Sequence, residues 1–235
     1  MHSPAITSPW VRGGTTFGMG ADRGPPSRTP SGCPSRSITT LCAEEARRTR
    51  DRIVATGVTR ASTDGLEALT IGSLAEALGM SKAGVVGPFG SRAALQAAVL
   101  AEAAEMFTAA VVAPGEKAEP GLPRLRAVID LWCGYLDGGP FPNGCFVTAA
   151  SCELDGRPGE LRGLLLDVVT RWRAFLREQV VVAQGAGDIA ASLDADDLVT
   201  TLTGIAMAAN QEIQLLGDAT AGARARRLML AALAA

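Results

Sequence analysis

Two lysines stand against twenty arginines in this chain of 235 residues, and one of them, Lys82, sits between Ser81 and Ala83 at the start of a short apolar segment. Those three side chains are what a helix start can offer to DNA: a hydroxyl that caps the helix, an ammonium for base edges and phosphates, and a methyl able to touch that of thymine. The Thr70 hydroxyl and the guanidinium groups of Arg47, Arg50 and Arg92 extend the candidate DNA-binding set with further phosphate donors. For the arginines and for Lys82 the alternative is a solvated basic surface with no partner. The seven residues serve one purpose only if the fold gathers them on one exposed face.

Bond-breaking chemistry finds little support. The sole histidine is His2, so Ser-His-Asp and Cys-His arrangements and histidine-based metal sites are missing from the sequence. No Gly-rich phosphate loop follows an expected strand. The carboxylate pairs Glu153 with Asp155 and Asp196 with Asp197 read as charges at helix ends rather than as acid–base pairs. Five cysteines, Cys33, Cys42, Cys133, Cys145 and Cys152, form no CxxC pair and are odd in number, against a disulfide framework or a structural zinc site. Cys145 and Cys152 are spaced to share a helix face, which raises a redox-sensing pair; their apolar neighbours and the lack of an adjacent basic residue favour two buried structural thiols. The expectation is a non-enzyme without cofactor or metal, in a reducing cytoplasm.

The elements that must position the candidate residues follow from spacing. Ile71, Leu74, Ala75 and Leu78 fall on one face of a short helix capped by Thr70 and stopped by Gly79. After Gly79-Met80-Ser81, a second short helix runs from Lys82 to about Gly87, capped by Ser81. Two short helices joined by a Gly-containing turn make a helix-turn-helix, whose second helix enters the major groove. Gly84, Gly87 and Pro88 weaken that second helix, so packing of Val85 and Phe89 against Leu74 and Leu78 must hold it. An earlier helix is expected from Glu44, with Ala46, Ile53, Val54, Val58 and Ala61 as its apolar stripe and Gly65 as its end. Gly57, in its middle, is a cost with no reason visible in the sequence.

Residues 47–100, the run RRTRDRIVATGVTRASTDGLEALTIGSLAEALGMSKAGVVGPFGSRAALQAAVL, resemble the N-terminal domain of the TetR/AcrR family of one-component transcriptional regulators. The resemblance lies in Thr49 near the start of the first helix, Gly65 before the second, the Thr70-to-Ala75 signal, Gly79-Met80-Ser81-Lys82, and the closing Phe89-Gly-Ser-Arg92. The chain departs from the family where an aromatic and polar residues usually precede the phenylalanine: here stand Val85-Val86-Gly87-Pro88, without two expected phosphate donors. The resemblance implies an all-α protein with an N-terminal three-helix helix-turn-helix domain over 44–92 and a larger helical ligand-binding and dimerisation domain over 93–235. It further implies a homodimer on a double-stranded DNA operator, and a repressor released by a small-molecule effector.

Beyond residue 92 the periodicity predicts helices over 91–112, 122–136, 145–155, 159–183, 194–216 and 220–234, with loops over 113–123 and 137–144. The resemblance makes the first of these the link between head and body and pairs the last two across the dimer, where small Ala206, Ala208, Ala209, Ala225, Ala231 and Ala232 allow close approach; an ordinary helix hairpin within one chain is the alternative. A ligand cavity, implied by the resemblance, would be lined by Phe107, Trp132, Tyr135, Phe146, Trp172 and Phe175, with Met106 and Phe141 nearby and Asn210, Gln211 or Glu212 as polar anchors; plain core is the competing reading. No stretch approaches eighteen apolar residues without charge, so no membrane span is expected.

Residues 1–43 are expected to be a disordered extension. Within 1–40, 24 residues are Gly, Pro, Ser or Thr, and the segment reads either as a flexible basic arm or as a non-native stretch before Met19. Charge is uneven, +3 over 1–40, +1 over 44–92 and −6 over 93–235, with the positive end at the helix-turn-helix. The sequence thus points to a ligand-controlled DNA-binding regulator. The competing class is a dimeric helical ligand- or partner-binding protein that has lost specific DNA binding.

Overall fold

The structure, a computed structural model, describes residues 38–234, with side chains from residue 41, and contains no strand among the described residues. Residues 45–235 form one compact unit. Its elements in order are α1 (Ile38–Asp64), α2 (Ile71–Leu78), α3 (Lys82–Val86), α4 (Arg92–Phe107), a π turn (Thr108–Val112), α5 (Ala113–Gly115), α6 (Leu122–Gly138), α7 (Phe146–Leu154), α8 (Glu160–Ala186), α9 (Ala195–Gln214) and α10 (Ala221–Ala232). The protein is all-α.

Most expected helices fall within a few residues of these bounds, and two do not. Helix α1 starts at Ile38 and not at Glu44, because the segment Ile38–Ala43 holds neither Gly nor Pro to stop it. The expected extension therefore loses residues 38–43 to the helix, while residues 1–37 lie outside the described residues. The expected loop at 113–123 shrinks as well, since the helical path continues to Gly115. The Ala113 N–H reaches back to the Thr108 carbonyl, a five-residue register that carries the chain past the missing N–H of Pro114.

Gly57 finds its reason in packing. A Cβ there would lie 2.6 Å from Val99 Cγ2, so the glycine lets α1 approach α4 more closely than any side chain allows. Ile53, Val54, Val58 and Ala61 of α1 are buried along with Leu74 and Ala75 of α2 and Val85 of α3. In the body, α6 packs on α8, α9 and α10, and α4 packs on α7 and α8. Leu125 and Ile129 of α6, Leu176 of α8, Leu202 of α9 and Met229 of α10 are fully buried at these contacts.

The helical run Arg92–Gly115 has the length and apolar composition to cross a membrane. Leu95, Val99, Leu100, Ala103, Phe107, Val111 and Val112 on it are buried against neighbouring helices, which accounts for its apolar character.

Candidate functional site

Caps build the helix-turn-helix. Thr70 and Ser73 form a reciprocal capping box: the Ser73 N–H donates to Thr70 Oγ1 at 3.0 Å and the Thr70 N–H donates to Ser73 Oγ at 3.3 Å. Gly79, at φ 62°, ends α2 in the left-handed conformation. Ser81 Oγ then accepts the Gly84 N–H at 3.0 Å, and Ser91 Oγ accepts the Ala94 N–H at 3.1 Å to open α4. Helix α3 has five residues. It closes before Pro88, the Gly87 N–H bonding Ala83 O and the Phe89 and Gly90 N–H groups both turning to Val86 O. The fully buried Val85 anchors it from beneath.

This arrangement leaves Thr70, Ser81, Lys82 and Ala83 exposed together. A Cβ added to Gly72 would lie 3.7 Å from Lys82 Cε and 3.8 Å from Thr70 Oγ1, so the lysine stem passes beside the first turn of α2. Arg47 is exposed on α1. Arg50 sets its guanidinium 5.0 Å from the centre of the Phe89 ring, a cation–π contact tying α1 to the segment after α3. Arg52 Nη2 donates to Met80 Sδ in the turn. Arg92 donates Nε–H to Leu69 O at 2.9 Å and Nη2–H to Glu67 O, so much of its fork is spent on the head's own backbone.

All six candidate ligand residues share one buried aromatic chain. The Phe107 ring meets Tyr135 at 5.2 Å and Trp172 at 5.0 Å, edge-on. Trp172 meets Trp132 edge-on at 5.0 Å and stacks on Phe175 at 5.7 Å. Tyr135 continues to Phe141 at 6.1 Å, and Phe141 to Phe146 at 5.6 Å. Among the described residues, the buried Tyr135 hydroxyl and Trp172 indole N–H have no hydrogen-bond partner. Burial raises the Tyr135 phenol well above its usual range, with nearby Cys145 adding to the effect, so the hydroxyl is neutral. Two of the three expected polar anchors are occupied: Asn210 Oδ1 accepts the Cys145 N–H at 2.8 Å and Glu212 pairs with Arg224 at 2.6 Å.

The cysteine expectation divides. Cys145 is buried just before α7, and burial pushes its thiol up. Cys152 is exposed, which corrects its assignment to the core: only a 3.6-residue period inside one helix places residues seven apart in like surroundings, and Cys145 precedes the helix.

Sequence reasoning missed Glu153 and Gln96. Glu153 was read as a helix-end charge, yet its carboxylate accepts the N–H groups of Leu66 and Glu67 at 2.9 and 2.7 Å. Gln96, buried on α4, donates to Leu66 O at 2.8 Å. The signal for Glu153 was its place in the last turn of a helix, where the dipole disfavours an anion unless something else holds it.

Residues 121–229 match the family described as Tetracyclin repressor-like, C-terminal domain. The chain carries a TetR-type C-terminal domain. Its fold is shared by a TetR transcriptional regulator from Chloroflexus aurantiacus J-10-FL, 24% identical, with a TM-score of 0.73 over 80% of this chain and 95% of that one. AibR, solved in complex with isovaleryl coenzyme A and operator DNA, is 18% identical with a TM-score of 0.65, covering 79% and 97%. A putative transcriptional regulator from Saccharomonospora viridis in complex with choline is 20% identical with a TM-score of 0.65, covering 79% and 95%. No curated protein matches the chain. The matched domain and the shared fold are those of TetR-type transcriptional regulators.

Proposed function

We propose that this regulator acts as a cytoplasmic homodimeric repressor, reading an operator with α3 and leaving it when a small molecule enters the body. The single observation carrying the DNA half is the exposed grouping of Thr70, Ser81, Lys82 and Ala83 on capped, packed helices. Lys82 and Ala83 face base edges, Thr70 and Ser81 approach phosphates, and Arg47, Arg50 and Arg92 border them as phosphate donors or braces. The aromatic chain from Phe107 to Phe175 is the effector site in this reading. Its two unpartnered donors, on Tyr135 and Trp172, suit an apolar molecule carrying oxygen acceptors. The complexes of AibR with operator DNA and isovaleryl coenzyme A, and of the Saccharomonospora viridis regulator with choline, support this kind of partner pair.

The test is binding of the purified protein to DNA from its own upstream intergenic region, with salt varied. Saturable, sequence-dependent binding that weakens steeply with salt is the expected result. Equally weak binding to any DNA would favour a helical ligand- or partner-binding protein instead.

A further inference from the structure

The turn between α1 and α2, residues 65–70, forms no regular element, yet it buries Leu66 and Leu69. Backbone groups in such a segment need partners, and here they come from distant helices. Glu153, in the last turn of α7, accepts the N–H groups of both Leu66 and Glu67. Arg92 and Gln96 of α4 donate to the carbonyls of Glu67, Leu69 and Leu66. A Cβ at Gly65, where φ is +91°, would lie 3.1 Å from Glu153 Oε1, so a side chain there would be strained and would crowd the carboxylate. The turn that leads into the reading helices is therefore held from outside.

The other end of α7 is tied to the aromatic chain. Its first residue, Phe146, packs on Phe141, and the preceding Cys145 N–H is held by Asn210 of α9. Phe146 and Glu153 are two turns apart on a nine-residue helix, about 10 Å along its axis. A cleft of about 480 Å³, lined by Ser62, Leu66, Phe146 and Glu153 among others, runs beside the joint and leaves room for a shift.

We propose that Glu153 is the positioning residue through which α7 couples the aromatic chain to the reading helices. A displacement of Phe146 carries the carboxylate with it, and the α1–α2 turn follows because two of its amides are fixed to that carboxylate. The assignment rests on the reading of the head as a DNA binder, and it adds the specific link by which the body reaches it.

The experiment uses the full-length protein, with Glu153→Gln, Phe146→Leu and the double variant. Two quantities are measured: hydrogen exchange at the Leu66 and Glu67 amides, and affinity for DNA from the chain's own upstream region. Glu153→Gln is expected to speed that exchange and to weaken DNA binding by about tenfold each, leaving α6 and α8 amides unchanged. Phe146→Leu shifts both in the same direction in the wild-type background and adds nothing in the Glu153→Gln background. Unchanged exchange at 66–67, faster exchange with undiminished DNA affinity, or a Phe146→Leu effect equal in both backgrounds overturns the proposal. If Glu153→Gln does not fold, Glu153→Asp, one methylene shorter, is judged by the same criteria. A wild type without DNA affinity sinks the DNA-binding reading instead, and the exchange cycle between positions 146 and 153 then decides the coupling alone.

Discussion

In the proposed DNA interface Lys82 carries most of the base-reading capacity of α3, because Ala83 adds only a methyl and Gly84 nothing. Lys82→Ala is expected to weaken binding to the upstream DNA and to reduce the log–log salt slope by about one, as measured by fluorescence anisotropy across a salt series. Unchanged affinity and an unchanged slope together would remove Lys82 from the interface. Tyr135 presents the opposite case, a buried hydroxyl without a partner. Tyr135→Phe removes an unsatisfied group and is expected to raise stability by about 1 kcal/mol in a thermal melt; a large loss would mean that the hydroxyl is satisfied in solution. The thiols separate by burial. Burial pushes the Cys133 thiol up to about 11 and raises that of Cys145, so neither is thiolate near neutral pH. Mass mapping after brief alkylation without denaturant should find Cys152 modified and Cys133 and Cys145 intact.

At the scale of elements, short helices are held by caps and neighbours rather than by their own length. Helix α3 is shorter than any that persists alone, and what fixes it is the Ser81 cap below and Val85 in the core. The α1–α4 contact shows how packing overrides propensity. Alanine gains roughly 1 kcal/mol over glycine inside a helix, but at position 57 its methyl meets Val99 Cγ2 at 2.6 Å. Overpacking of that kind costs roughly 1–3 kcal/mol, so Gly57→Ala is expected to lower the melting temperature; a rise would show that Val99 turns aside freely.

For the whole molecule, the proposed homodimer requires a face for a second copy. Helices α9 and α10 pack on each other and on α6 within one chain, burying Ala206, Ala209 and Ala225. Met207 on α9, Leu215 and Leu216 just after it, and Leu228 on α10 stay exposed, a set of large apolar side chains suited to a second copy. Replacing Met207 and Leu216 with lysine together is expected to give a monomer by sedimentation and to abolish tight operator binding while the helical circular dichroism persists. A dimer that survives both changes would place the interface elsewhere.

Caps and breakers made the head legible residue by residue: Thr70, Gly79, Ser81 and Ser91 act locally, and each sits where its hydrogen bond or φ angle demands. Helical periodicity likewise marked the body, and the large aromatics announced themselves by rarity. What the sequence left open depended on who meets whom. Gly57 made sense only beside Val99, Arg92 only beside the carbonyls of Glu67 and Leu69, and Glu153 only once α7 lay against a turn more than eighty residues earlier. Propensity and capping are properties of neighbours in the chain, so the sequence by itself determined the helices and the family resemblance. Packing and the partners of buried polar groups are properties of neighbours in space, and those the tertiary structure alone decided.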